Sequence, residues 1–381
     1  MRLTRLRLRS FRAHADTAVD LAPGVNLFAG PNGAGKTNLL EAVHFLSLAK
    51  SFLTSTDAHV VRRGESHFEV EGTFAGERRA SLVVRVAVVP GEGKRAFVNG
   101  SALDRLADLV GLVPTVVISP ADTELTAGGP SERRRFLDAT LSQTFPVYLD
   151  DLIKYRRALR QRNALLQSVR RGKALAPGTM DAWDEELAVL GSRIVERRAT
   201  FLSGFSDRLA DAYRLLNAVG DVPSLAYAPS VEGDDVPEAF RQEIRRKSRR
   251  ERELGRTLVG PHLDEIVFQL DGFDLRPFAS QGQHRTFALA VRIAQALFFS
   301  HQLEEAPILM LDDVFGPLDP ERADVVLSLL SDQTLGQSLI TAARTEPFWD
   351  PVPFEDSDHA AFHVEHGSVS RLSSVPTSSS A

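Results

Sequence analysis

The sequence predicts an α/β protein whose sheet domain is interrupted by a mostly helical insertion. Short apolar stretches of strand length occur in residues 1–125 and return in residues 258–372. Between them, residues 126–257 show helical spacing of leucine, alanine and arginine with few strand signals. We therefore expect one discontinuous α/β domain, an inserted helical lobe and a disordered Ser- and Pro-rich tail at 373–381.

The individual elements follow from polarity patterns bounded by glycine, proline and polar turns. In chain order, strands are predicted at 3–12, 18–21, 24–29, 67–74, 80–89, 95–100, 112–119, 266–270, 308–311, 339–341, 362–365 and 369–372. The strands between 67 and 100 alternate in polarity, which predicts an antiparallel sheet. Apolar residues at helical spacing predict a helix at 37–46 and a longer one at 283–301.

Composition excludes several classes of protein. A chain of 381 residues with 43% hydrophobic and 25% charged residues is typical of a globular protein. The absence of cysteine excludes disulfides, thiolate metal sites and a cysteine nucleophile. We find no signal peptide and no apolar run of about 18 residues, so we expect a soluble cytoplasmic protein with no membrane span. Because the net charge is −5, any nucleic-acid-binding surface must be a local basic patch.

A glycine-rich stretch gives the strongest functional signal. It reads Gly30-Pro31-Asn32-Gly33-Ala34-Gly35-Lys36-Thr37, the spacing of a phosphate-binding loop, and it lies between a predicted strand and a predicted helix. Glycines let backbone N–H groups converge on an anion, and the helix presents its positive end. We expect this loop and Asn38 to bind ATP, with Lys36 on the β- and γ-phosphates and Thr37 holding Mg²⁺.

Two carboxylates follow the apolar strand at 308–311. An aspartate that ends such a strand holds Mg²⁺ beside the phosphate loop in ATPases. Asp312 is therefore predicted to bind Mg²⁺, and Asp313 to orient or deprotonate the attacking water. Together with Lys36, these are the candidate catalytic residues.

A third motif, Ser280-Gln281-Gly282-Gln283, opens the predicted helix upstream of this acid pair. With Leu318-Asp319 it completes the set found in ABC-type ATPases, where the serine and the helix N-terminus cap the ATP of a second protomer. Ser280, Gly282 and Gln283 are therefore candidate nucleotide contacts, and ATP is expected to hold a homodimer together.

From Leu3 to about Leu372 the chain resembles the RecF family, which is related to SMC-type ATPase heads. Besides the motifs above, the resemblance is carried by Ser10-Phe11-Arg12, Gly129-Pro130-x-x-Arg133-Arg134-x-Phe136-Leu137-Asp138, Tyr155-x-x-x-Leu159-x-Gln161-Arg162-Asn163-x-Leu165-Leu166 and Gly260-Pro261-His262. It implies an SMC-head-like P-loop ATPase fold and a nucleotide contact from Arg12. The usual ABC switch histidine is missing, since Thr341 stands near that position.

The resemblance also implies a function. Proteins of this family bind ATP, dimerise, bind duplex or gapped DNA at single-strand/duplex junctions, hydrolyse ATP slowly and help RecR and RecO load RecA. Clustered arginines are candidate contacts to DNA phosphates. On the first predicted helix they are Arg156, Arg157, Arg160 and Arg162, and the second basic run includes Arg245, Arg246, Arg249 and Arg250.

Other interpretations stay open at this point. For any single arginine, the alternative is a solvated helix face paired with neighbouring Glu and Asp residues. An SMC-like chromosome-structuring head would need long heptad coiled coils, and the insertion is too short and irregular for them. An ABC transporter motor domain would need a membrane partner, and the arginine-rich insertion disfavours it.

Overall fold

The computed structural model describes residues 1–77, 79–216, 220–316 and 318–372. The tail at 373–381, for which we predict disorder, lies outside these residues.

Strands dominate the two ends of the described chain, and helices dominate its middle. The first part contains β1 (Arg2–Phe11), β2 (His14–Asp20), β3 (Val25–Ala29), α1 (Lys36–Leu48), β4 (Phe68–Ala75), β5 (Leu82–Val89), β6 (Gly93–Val98), β7 (Ser101–Ala102) and β8 (Thr115–Ile118). The middle contains α2 (Thr123–Ala127), α3 (Pro130–Thr144), α4 (Pro146–Arg170), α5 (Asp181–Leu216), β9 (Pro223–Ala228), α6 (Val236–Leu254), β10 (Glu265–Leu270), β11 (Phe273–Asp274), α7 (Leu275–Phe278) and α8 (Gln281–Leu303). The last part contains β12 (Ile308–Asp312), α9 (Pro320–Ser331), β13 (Ser338–Ala342), β14 (Ala360–Glu365) and β15 (Ser368–Arg371).

These elements form two compact units. Unit 1 consists of the described residues within Met1–Asp122, Asp211–Gly220 and Ala288–Ala381. Unit 2 consists of Thr123–Ala210 and Asp221–Phe287.

Unit 1 contains two sheets. The strands of the first sheet run antiparallel in the order β2-β1-β4-β5-β6-β7, which agrees with the alternating polarity of the strands between 67 and 100. The second sheet has the order β15-β14-β3-β13-β12-β8. From β14 to β8 its neighbouring strands are parallel, and β15 joins the edge as an antiparallel hairpin strand.

Helix α1 forms much of the core of unit 1 because it contacts strands of both sheets. It is buried on almost every side, at apolar Leu39 and Val43 and also at polar Glu41 and His44, so its buried residues are not confined to one face. Edge-to-face contacts join Phe45 to Phe11 and Phe68, with ring centroids 5.8 and 5.2 Å apart. The helix that follows the phosphate loop is therefore packed against both sheets.

Unit 2 packs α4 against α3 and α6 and contains a small antiparallel sheet in the order β11-β10-β9. Sequence reasoning missed β9, which lies within the predicted helical insertion. Residues 223–228 have weak strand signals of their own, and they are extended because they pair along β10 from Glu265 to Leu270. This pairing joins 265–270 to the helical lobe, so unit 2 reaches Phe287, whereas the predicted lobe ends at 257.

None of the described helices meets the combined requirements of length and hydropathy for crossing a membrane.

Candidate nucleotide site

The phosphate loop of unit 1 lies at the carboxyl ends of three neighbouring parallel strands. Strand β3 enters the loop, β13 pairs beside it, and β12 pairs beside β13 with Asp312 opposite Thr341. In open α/β sheets this edge is where ligands bind, because successive strands deliver their loops to one crevice. The fold thus brings Lys36 and Asp312 to one place although they are far apart in the sequence.

Two positions of the loop require glycine. Gly30 has a φ of +155°, and a Cβ atom there would lie 2.1 Å from the carbonyl oxygen of Val364 in β14. Gly35 has a φ of +108°, and a Cβ atom there would lie 3.0 Å from Nε2 of His14. Any side chain at either position would force the loop away from its supports.

Lys36 begins α1 and is buried, with its side chain folded back over the loop. Its Nζ donates hydrogen bonds to the carbonyl oxygens of Gly30, at 2.7 Å, and Pro31, at 2.9 Å. Burial lowers the pKa of Lys36, and the negative charges of Asp313 and Asp312 oppose that shift. The ammonium group is therefore a poorly solvated cation held where it favours an added anion.

The Mg²⁺ ligands predicted from the sequence lie next to each other. Thr37 Oγ1 donates to Asp312 Oδ1 at 2.7 Å. Thr341 Oγ1 donates to the same carboxylate oxygen, also at 2.7 Å. The two hydroxyl groups fix the orientation of the Asp312 carboxylate toward the loop.

A hydroxyl and a carboxylate at this separation fit Mg²⁺, which prefers oxygen ligands and usually takes only one or two carboxylates beside substrate phosphates and waters. Among the residues that the structure describes, no group of three or more His, Cys, Asp and Glu side chains could hold a metal ion by itself. Thr37 and Asp312 would therefore hold Mg²⁺ together with the phosphates of a nucleotide.

Asp313 is exposed and its backbone is left-handed, with a φ of +50°. Its N–H donates to the hydroxyl oxygen of Thr341 at 3.1 Å and to the carbonyl oxygen of Thr341 at 3.3 Å. These bonds hold the strained residue so that the two carboxylates diverge, with Asp312 bound inward and Asp313 open to solvent.

Two residues that support this site are missed by sequence reasoning. Thr341 stands out in the sequence only as the place where a histidine is absent. His14 is fully buried, with its Nδ1 atom 2.8 Å from the carbonyl oxygen of Gly367 and its Nε2 atom 3.1 Å from that of Gly35. Burial lowers the pKa of His14, and the buried imidazole supports the last glycine of the loop. No sequence spacing signals this contact, since the partners lie far apart in the chain.

Arg12 is ordered by the protein itself. Its guanidinium donates to both carboxylate oxygens of Glu41, at 2.8 and 2.7 Å, and to the carbonyl oxygen of His59 at 2.8 Å. Glu41 is fully buried in α1, and Ser51 also donates to it. The structure thus gives Arg12 a role in anchoring α1, and its contact with the nucleotide stays a prediction.

The signature motif lies in unit 2, where it begins α8 as a capping box. Gln283 N–H donates to Ser280 Oγ at 3.2 Å, and Ser280 N–H donates to Gln283 Oε1 at 2.9 Å. Ser280 and Gly282 are both exposed. The helix start is therefore well defined and leaves Ser280 within reach of solvent.

The fold and the nucleotide-site geometry invite comparison with known proteins. The family model described as the RecF/RecN/SMC N terminal domain matches residues 2–352. A DNA replication and repair protein RecF from Salinibacter ruber is 51% identical over 374 residues, which cover 96% of this chain and 91% of that protein. The chain belongs to the RecF family.

Solved structures agree with the RecF assignment. The recombination mediator protein RecF-ATP in RecFOR pathway superposes with a TM-score of 0.88 at 28% identity, covering 97% of both chains. The Smc head domain of Pyrococcus furiosus, solved with the C-terminal domain of ScpA, has a TM-score of 0.58 at 15% identity and covers 97% of this chain and 95% of that one. The second likeness shows the fold alone, and the predicted SMC-head-like α/β class is confirmed.

In this RecF-family chain, most of the arginines predicted to contact DNA are exposed, but most are also paired. Arg156 donates to Asp138 at 2.8 Å. On α6 the pairs are Arg245 with Glu238, Arg246 with Glu243 and Arg249 with Glu253. Within the described residues, Arg160 and Arg250 have no ion pair. The alternative of a solvated, paired helix face therefore applies to much of α6.

The hypothesis of a DNA contact is wrong for Arg162. This side chain is buried and donates to Glu251 at 2.7 Å and to Thr257 Oγ1 at 2.9 Å, with Asp184 as a further partner. Helical periodicity places Arg162 on the α4 helix with the other arginines, but it does not show that this turn faces a neighbouring helix. In this RecF-family member, the Gln161-Arg162-Asn163 motif holds unit 2 together.

A buried histidine in α1 predicts a pH dependence of stability. Burial lowers the pKa of His44 to about 4, and its Nδ1 atom lies 2.6 Å from the carbonyl oxygen of Lys50. Between pH 6.5, the ordinary pKa of histidine, and about pH 4, His44 binds a proton in the unfolded chain but not in the folded chain. The stability that the neutral His44 contributes is therefore fully present above pH 6.5 and is lost as the pH is lowered toward 4. We expect the free energy of unfolding to fall by up to about 1.4 kcal/mol per pH unit from this residue.

Urea denaturation of His44→Gln and of the native chain between pH 7.5 and 4.5 measures this contribution. The variant should show the shallower dependence on pH, and His67→Gln, at an exposed position, should keep the native slope. Equal slopes for all three proteins would contradict the assignment.

Proposed function

We propose that this chain is an ATP-dependent DNA-binding recombination mediator and a weak, DNA-stimulated ATPase. The observation that carries this proposal is the hydrogen bond between Thr37 and Asp312 beside the buried Lys36. Together these groups supply one cation and a pair of Mg²⁺ ligands at the start of a helix. These are the groups that binding of a nucleoside triphosphate requires. The ATP-bound state of a solved relative supports the same assignment.

The geometry indicates how each group would act. The loop N–H groups would bind the phosphate oxygens, and Lys36 Nζ would exchange its carbonyl partners Gly30 and Pro31 for the β- and γ-phosphates. Mg²⁺, held by Thr37 and Asp312, would neutralise charge on the transferred phosphoryl group. Asp313, exposed beside this pair, would accept a hydrogen bond from the attacking water and orient it.

The capping box explains how Ser280 would act on a second protomer. In that box the Ser280 oxygen accepts a hydrogen bond, so its own O–H is left to donate. A hydroxyl at the positive end of α8 suits a phosphate oxygen, and it would complete the nucleotide site of a partner chain. ATP would thereby close a homodimer.

The functional setting follows from the RecF family. We propose that the ATP-bound dimer binds duplex or gapped DNA at single-strand/duplex junctions in the cytoplasm, with RecR and RecO as partners in loading RecA. Slow hydrolysis of ATP would then open the dimer and end DNA binding.

Size measurement by light scattering tests the dimer. With ATP and Mg²⁺, the native chain should double its mass, and Ser280→Arg should stay monomeric because a bulky cation fills the place of the donated hydroxyl. Ser203→Arg, at an exposed position of α5, is the matched control and should dimerise normally. A native chain that stays monomeric with saturating ATP, Mg²⁺ and duplex DNA would refute the proposal.

A further inference from the structure

Unit 2 contains a cavity of about 270 Å³ that the nucleotide chemistry does not use. Its walls include the apolar side chains of Leu152, Leu159 and Pro261. Its polar lining brings together residues from three of the sequence motifs that carry the resemblance to the RecF family. These residues are Arg134, Asp138, Tyr155 and His262.

Positive charge dominates the cavity. Guanidinium groups of Arg134, Arg135, Arg156 and Arg198 line it, against the carboxylate of Asp138. Asp138 is already shared, because Arg198 and Arg156 donate to its two oxygens, each at 2.8 Å.

The remaining groups around the cavity add little negative charge. Arg198 is buried and also donates to Asp264 at 2.8 Å, so the negative charge of that deeper carboxylate is neutralised by an ion pair within the fold. Burial lowers the pKa of His262 to about 4, and its Nδ1 atom bonds the Tyr155 hydroxyl at 2.7 Å, so the imidazole is neutral.

Among the arginines of the cavity, Arg134 is the one whose positive charge is least neutralised by carboxylates. It donates to the backbone carbonyl oxygen of Asp264, at 2.6 Å, and no carboxylate of the described residues lies within ion-pair distance of it. Burial, followed by the positive charge of Arg198, lowers the pKa of the Arg134 guanidinium. The remaining N–H groups of Arg134 can therefore donate to an added anion, which would also relieve the repulsion.

Two further groups at the cavity suit an anion. Arg135 is exposed and its partner Glu132 lies one turn away in α3, a surface ion pair that contributes little stability and exchanges readily. Ser131 lies in the first turn of the same helix, whose N-terminus carries no side-chain cap.

We propose that this cavity is a phosphate site for the backbone of a nucleic acid strand, with Arg134 and Arg135 as its main ligands. Planar guanidinium groups match phosphate oxygens bidentately. The exposed Arg160 lies one turn beyond Arg156 on α4, so positive charge continues past the cavity as a strand of repeated phosphates requires. This assignment rests on the proposed DNA-binding function and places its contacts at α3, where no sequence argument had put them.

Fluorescence anisotropy of a labelled DNA duplex, with ATP and Mg²⁺ over a series of KCl concentrations, tests the cavity. The double variant Arg134→Gln/Arg135→Gln should bind about tenfold more weakly or worse, and its log–log salt slope should fall by about 1 to 2, or about 0.9 for each phosphate that is no longer neutralised. Arg134→Lys keeps the charge and should keep most of the salt slope, which a merely structural role of Arg134 would not predict.

Arg5→Gln is the matched control, because Arg5 is exposed and paired with Asp20 on the antiparallel sheet of unit 1. It removes one charge and should leave the slope unchanged. Unaltered urea midpoints and ATP binding would show that the double variant is folded.

The possible failures are distinguishable. A native chain that binds no duplex would refute the proposed function and this site with it. Native binding with an equal affinity and slope in the double variant would refute the site alone. Loss of binding to poly-glutamate in the double variant, with duplex binding intact, would assign the cavity to an acidic protein partner and overturn the proposal.

Discussion

Lys36→Ala is expected to lower ATP affinity and turnover by at least about 100-fold, or roughly 3 kcal/mol. The native ammonium is buried and already oriented by two loop carbonyls, so no other group can take its place when the phosphates bind. Isothermal titration with ATP and a phosphate-release assay measure the two effects.

The exposed Lys154 on α4 provides the matched control. Lys154→Ala removes the same charge and should leave ATP affinity unchanged. Native ATP affinity in Lys36→Ala would contradict the assignment of the phosphate loop.

Asp313→Asn is expected to lower ATP turnover by about 100-fold or more, while ATP binding and ATP-dependent dimerisation persist. Asparagine is the least disruptive replacement, because it tolerates the left-handed backbone at this position and keeps the N–H bonds to Thr341. The amide loses the basicity that polarises the attacking water. Single-turnover hydrolysis measures the loss, and light scattering measures the dimer.

Asp312→Asn gives the contrasting result. Its carboxylate accepts from Thr37 and Thr341, so the substitution should weaken Mg²⁺-dependent ATP binding itself. If Asp313→Asn turned over ATP at the native rate, the attacking water would have to be oriented by another group.

The candidate nucleotide site could be predicted from sequence where its groups lie close together in the chain. The loop spacing, the strand before it and the acid pair after an apolar strand each lie within a few consecutive residues. Thr341 and His14 could not be predicted, because their partners are set by which strands become neighbours in the sheet. The same limit explains Arg162, since periodicity defines a helix face but not the element that covers it.

Strand β9 shows another limit of sequence reasoning. Residues 223–228 are extended because β10 offers them a partner, and the sequence of β9 alone does not reveal that partner. Ser280 and Gln283 show a different limit, since serine followed three residues later by glutamine is both an ABC signature and an ordinary capping box. Only the structure shows that the Ser280 oxygen accepts the capping bond and keeps its O–H free to donate, so both interpretations can hold at once.

The order of the parallel sheet has a consequence for biosynthesis. Strand β3, which leads into the phosphate loop, is flanked by β13 and β14, and both come from beyond residue 337. A nascent chain that stops earlier carries neither flanking strand, so the candidate ATP pocket assembles only after residues 338–365 have left the ribosome. Such distant pairings close large loops and slow the search for the native state, which makes assembly of the parallel sheet a late step in the folding of unit 1.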